Sequence, residues 1–134
     1  MEGFNARRLT PEDFGYFDIA VMDVSFISQT LLHGPVSSVL HESGVFISLI
    51  KPQFEAGKSA LGKNGIVKKA GDREKAVKQV LASAALFGFD TLGVMRSPIE
   101  GGDGNREYLA CFVKKDGISV PDLEKLNIDR LCKD

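Results

Sequence analysis

The chain has 134 residues, 43% of them hydrophobic and 26% charged, with a net charge of −1. That length suits one domain or part of one, and the balance excludes a disordered or fibrous chain and gives no global charge that would hold it on nucleic acid. No apolar run approaches the roughly 20 residues that span a bilayer, the MEGFNARR start lacks the apolar core of a signal peptide, and Cys111 and Cys132 make neither a disulfide framework nor a metal-ligand spacing, so a reducing cytoplasm is expected.

In chain order, Thr10-Pro11-Glu12-Asp13 has the character of a helix start, with Thr as cap, Pro in the first position and acids in the first turn. Phe17 to Met22 (FDIAVM) is a near-continuous apolar run ending at Asp23, as a strand buried on both faces reads. A polar turn and a short helix near Pro35 to Glu42, stopped by Gly44, lead to a second buried strand, Val45 to Ile50. Pro52 cannot join a ladder and ends it. Residues 53–70 read as a long Gly- and Lys-rich loop, a kind that in compact domains tends to be functional or mobile. Asp72 is expected to cap a helix whose apolar stripe is Val77, Val80, Leu81, Ala84 and Phe87, ended by Gly88. Phe89 to Met95 is a third strand and Glu107 to Val113 a fourth, joined by a loop with Gly101, Gly102 and Gly104 and no helix, so the two should pair antiparallel. Pro121 opens a modest terminal helix with Leu123, Leu126 and Leu131. The order β-α-β-α-β-β is that of an α/β domain with parallel strands and a final antiparallel strand.

Two polar residues terminate buried strands, Asp23 and Lys51, and in open α/β sheets ligands sit beyond the carboxyl ends of parallel strands. An antiparallel neighbour starts where the others finish, so Glu107 should join them. Two carboxylates beside an ammonium can orient it for proton transfer. Each residue alone also reads blandly, Asp23 as a turn cap and Lys51 as a solvated strand end. Between Lys51 and Lys75 stand seven basic residues against three acids. That is either a solvated loop or a contact for a phosphate backbone. Gly57 to Lys63 fits the phosphate-loop pattern G-x-x-x-x-G-K, but Asn64 stands where Ser or Thr should bind Mg²⁺, and no helix follows directly. His33 and His41 lack acidic or Cys partners for a metal site.

The stretches DVSFIS (Asp23 to Ser28), KPQFE (Lys51 to Glu55), Ser97-Pro98-Ile99 and GNREY (Gly104 to Tyr108) resemble the TlyA/haemolysin A family over nearly the whole chain. The resemblance implies an FtsJ-type ribose 2′-O-methyltransferase that uses S-adenosylmethionine (SAM) and acts on ribosomal RNA, with an RNA-binding S4 domain ahead of the catalytic domain. Of the family's Lys-Asp-Lys-Glu set it implies Asp23, Lys51 and Glu107. The first Lys, the cofactor's glycine motif and the S4 domain have no counterpart in residues 1–134, which therefore resemble the C-terminal part of the catalytic domain. MEGFN resembles the segment just after the family's third strand, implying Asn5 and Asp23 at the cofactor. Lys58, Lys63, Lys68 and Lys69 would lie on RNA phosphates. Without the first three strands, the edge of strand 18–23 is expected to pair, in a homodimer or with another segment. Two other classes compete: a non-enzymatic RNA-binding or haemolysin-like protein, and a nucleotide hydrolase dependent on Lys63.

Overall fold

The computed structural model describes residues 15–99, 104–117 and 120–133. Asn5 and the expected helix start at Thr10–Asp13 lie outside the described residues. Four strands, β1 (Phe17–Met22), β2 (Leu40–Ile50), β3 (Phe89–Arg96) and β4 (Tyr108–Lys114), form one sheet in the order β1-β2-β4-β3. β1 and β2 are parallel, and β4 runs antiparallel to both β2 and β3. β3 therefore points the same way as β1 and β2, and the expected antiparallel final strand is present, inserted between its neighbours rather than added at an edge. The helices are α1 (His33–Val39), α2 (Pro52–Glu55), α3 (Ala70–Leu86), α4 (Leu123–Leu126) and α5 (Ile128–Leu131).

One face of the sheet carries the core. Phe46 of β2 stacks on Phe112 of β4 with ring centroids 5.4 Å apart, and both meet Phe89 at the start of β3. Val77, Val80, Leu81 and Ala84 of α3 are buried with them, so the stripe read from 3.6-residue spacing is the packed face of that helix. Phe87 does not belong to it: it is 44% exposed at the C-cap, its ring lying against Gly34. Asp72 does not cap α3 either. The cap position is Lys69, without a side-chain bond, and Asp72 sits in the first turn, where its charge complements the helix dipole.

Several sequence expectations shift for identifiable reasons. The helix near 35–42 ends at Val39, and Gly44 belongs to β2 rather than stopping a helix. Leu40 already pairs with Phe17, and the register skips before Ile19 pairs with Val45. At that bulge a Cβ on Gly44 would stand 2.7 Å from the His41 carbonyl oxygen and 3.2 Å from that of Asp18, so only glycine lets the strands approach. The loop 53–70 is structured as α2, two 3₁₀ turns (Lys58–Ala60 and Lys63–Gly65) and a Leu61–Val67 bridge. Buried Asn105 holds it, accepting from Val67 N–H and donating to the Gly65 carbonyl. The terminal helix breaks in two at Asn127, which takes a left-handed conformation.

β1 is not buried on both faces. Phe17, Ile19 and Val21 are 43%, 62% and 74% exposed, while Ala20 and Met22 meet the core. The described helices that pack on the sheet join the face of Phe46 and Phe112. Across the other face Ile47, Gly93, Met95, Leu109 and Cys111 line a shallow apolar depression. Within the described sheet β1 is an edge strand.

Phe46 is fully buried at the centre of the aromatic stack. Phe46→Ala is expected to lower the unfolding free energy by about 3–5 kcal/mol in urea titration; a loss under about 1 kcal/mol would show that the core does not rest on that ring.

Candidate active site at the strand ends

Side chains alternate across a strand. Met22, Ile50 and Tyr108 face the core, so Asp23, Lys51 and Glu107, each one residue away, turn toward the opposite side. Ile50 pairs with Tyr108 at the end of the antiparallel ladder, so Lys51, just after one strand, and Glu107, just before the other, lie at the same end of the sheet. Lys51 Nζ forms an ion pair with Asp23 Oδ1 and donates to Ser25 Oγ at 2.9 Å. Its side chain is only 13% exposed, against 62% for Asp23. The amine is thus sunk into the sheet end with its head against an accessible carboxylate.

Glu107 is 7% exposed, and its Oε2 accepts from Gln53 Nε2 at 2.8 Å. The acid, amine and second acid read from the sequence occupy one end of the sheet, with Ser25 and Gln53 as their immediate partners. Sequence reading passed over both. Each stands two residues beyond a strand-terminating charged residue, at Asp23 and Lys51, and that offset was the available signal.

A buried polar network fixes the loops that carry these groups. Glu55 Oε2 accepts from Ser28 Oγ at 2.5 Å, and Oε1 from Gln29 N–H at 2.8 Å. Burial raises the Glu55 carboxyl above its ordinary range, opposed by those two hydrogen bonds. The Gln29 side chain donates to the Leu49 carbonyl, and its Oε1 receives Ser48 Oγ and His33 Nε2. An amide oxygen only accepts, so His33 carries its proton on Nε2 and its Nδ1 accepts from Ser83 Oγ at 2.8 Å. Burial pushes His33 down to about 4. His33 is a hydrogen-bonded core histidine, and His41 lies at the surface with its ring near Tyr16.

Beside Lys51, Phe26 is 87% exposed and in a left-handed conformation with φ of 70°, its ring 5.1 Å from that of Phe54. A bulky residue held there signals a local constraint, and such residues cluster at ligand sites. Lys58, Lys63, Lys68 and Lys69 are all exposed on the following loop. Gly57 to Lys63 is not a phosphate loop: a 3₁₀ turn at Lys63–Gly65 and extended Ile66 come after it, where a helix should open. The described turns after β1 and β2 hold no glycine before the next helical residue, so they offer no glycine cradle for a cofactor.

An open, mixed α/β sheet with a charged cluster beyond its parallel strand ends defines a ligand-binding α/β domain. Residues 1–114 match the FtsJ-like methyltransferase family, and the chain belongs to it. It is 40% identical over 110 residues to a protein of Mycobacterium tuberculosis named 16S/23S rRNA (cytidine-2′-O)-methyltransferase TlyA, covering 81% of this chain and 41% of that one. It is 36% identical over 115 residues to Hemolysin A of Brachyspira hyodysenteriae, covering 84% of this chain and 48% of that one. A solved hemolysin-named protein of Streptococcus thermophilus superposes with a TM-score of 0.90 at 40% identity, over 98% of this chain and 48% of that one. The chain thus spans about two fifths to one half of the length of these relatives.

The lowered His33 has a stability consequence. The unfolded chain, titrating near 6.5, binds a proton there that the folded chain refuses until about 4. The contribution is fully present above 6.5 and is lost as pH falls through that window, by about 3–4 kcal/mol at most at 1.4 kcal/mol per pH unit. Glu55, raised, acts with the opposite sign, so the difference between the native chain and His33→Gln isolates the histidine. That difference should narrow between pH 6.5 and 4 in urea titrations; a constant difference would show His33 protonating freely in the fold.

Proposed function

We propose that this chain is the C-terminal part of the catalytic domain of a SAM-dependent ribosomal RNA ribose 2′-O-methyltransferase, acting in the cytoplasm. The observation that carries the reading is the largely buried Lys51 side chain, its ammonium paired with Asp23 and Ser25, at the same end of the β2–β4 ladder as Glu107. The name of the mycobacterial relative supports the substrate class. The open edge of β1 and the uncovered apolar sheet face would be where the rest of a longer catalytic domain packs.

A ribose hydroxyl is a weak nucleophile and must give up its proton as it attacks. SAM, when bound, supplies the electrophilic methyl group, with Asp23 and, from its place in the sequence, Asn5 as the residues of this chain to hold it. Lys51 would take the hydroxyl proton only as the neutral amine, after giving up one of its own protons; as the ammonium it donates a hydrogen bond to the hydroxyl oxygen and orients it. Asp23 and Ser25 fix its Nζ, so the ammonium has one direction left to offer the substrate. Glu107, at the same end of the sheet, is the acceptor that holds amine and hydroxyl in line. Exposed Phe26, backed by half-buried Phe54, offers an apolar face on which an unstacked base can lie, as RNA-modifying enzymes require of their target. Lys58, Lys63, Lys68 and Lys69 run beside it as phosphate contacts.

The haemolysin-like reading finds less support. The apolar stripe of α3 is packed on the sheet, and among the described residues no helix is long and apolar enough to cross a membrane. In the full-length protein, Lys51→Ala is expected to cut methyl transfer to ribosomal RNA by about 100- to 10,000-fold with SAM affinity little changed in calorimetry. Turnover retained in that variant would end the proposal, and lysis of cells independent of Lys51 would favour the membrane reading. Replacing Lys58, Lys63, Lys68 and Lys69 together by Ala should flatten the plot of log binding constant against log salt by about 3, from about 0.7–0.9 per phosphate contact. An unchanged slope would remove the loop from the RNA surface.

A further inference from the structure

We propose that Gln53 is the positioning residue for Glu107, an inference that rests on the methyltransferase reading above. Pro52 opens α2 directly after Lys51, and the helix turns the next residue back over the sheet end. Gln53 there donates Nε2–H to Glu107 Oε2 at 2.8 Å. A carboxylate only accepts, so the amide must turn its NH₂ that way. Its own carbonyl, Oε1, is then buried with no hydrogen-bond partner among the described residues. A residue retained for packing alone needs no amide: Leu or Met would fill similar volume and bring no polar atom of its own to be buried unpaired. The unpaired carbonyl is the consequence of turning the NH₂ to Glu107.

The chemistry explains why an amide suits the position. A lysine or arginine there would fix Glu107 and neutralise it. A neutral donor ties one oxygen, Oε2, and leaves the charge on the carboxylate with Oε1 untied at the sheet end that also holds Lys51. The same four-residue helix also places Phe54 against Phe26 and Glu55 on Ser28 and Gln29. α2 is therefore a bracket: Lys51 enters it, and each of the next three side chains beyond Pro52 fixes a different part of the site.

The test is steady-state methyl transfer by the full-length protein with Gln53→Leu, the isosteric Gln53→Glu, Glu107→Ala, and the double variant Gln53→Leu/Glu107→Ala. Gln53→Leu should lower kcat by about 100-fold, the scale of a misplaced catalytic group, with KM for RNA nearly unchanged. Gln53→Glu keeps the shape, removes the donor and adds a like charge, so it should lose at least as much. Because Gln53 acts through Glu107, the double variant should be no worse than Glu107→Ala alone. Near-native kcat in Gln53→Glu, or a double variant that loses the product of the two single effects, would overturn the inference. No methyl transfer by the unaltered protein overturns both readings, whereas transfer indifferent to Gln53 overturns this one alone.

Discussion

From Val45 to Ile50, β2 pairs residue for residue with β4, from Val113 back to Tyr108, and the rest of the site depends on that ladder. Its even-numbered positions bury Phe46, Phe112 and Ile50 against α3. The register that fills the core therefore also sets which way the next residues turn. A slip of one residue would turn one of the two strands over, sending Lys51 or Glu107 to the core side and exposing Phe46 or Phe112. Core packing and site geometry are in this way one constraint, and roughly 25 cal/mol per Å² of buried apolar surface holds both.

The strand ends alone would leave long side chains free to wander. A set of short-range polar contacts with complementary donors and acceptors removes that freedom. Lys51 is held by Asp23 and Ser25, and Glu107 by Gln53. Behind them, Glu55, Ser28, Gln29, His33, Ser48 and Ser83 form a chain of hydrogen bonds from α2 through β2 to α3. Such networks are costly when half satisfied and rigidifying when complete. The site loops thereby inherit the rigidity of the core, while Phe26 and the lysines on the outer side stay exposed.

Much of this was legible in the residues. Strand-terminating Asp23 and Lys51, and Glu107 after a glycine-rich loop, announce themselves because a charge directly following an apolar run is located by the strand's end. The antiparallel hairpin was legible because no helix separates its strands. The place of β4 between β2 and β3 was not, since strand order depends on long-range pairing that local pattern does not encode. Gly44 was misread because a glycine permits a bulge as readily as a helix stop. β1 looked doubly buried because its composition records two apolar faces, while the described helices cover one. Gln53 and Ser25 left only their two-residue offset from a strand-terminating charge as a signal, and the His33 network was invisible because a polar residue's partner is set by the fold.

A crystal structure of the full-length protein with SAM and a short RNA substrate would test the central geometry most directly. The ribose 2′-oxygen should lie within about 3 Å of Lys51 Nζ, the range of a hydrogen bond, with Asp23 and Glu107 on either side of that amine. A target ribose bound on another face of the sheet, with the Lys51 amine still closed against Asp23 and touching no ligand, would contradict it.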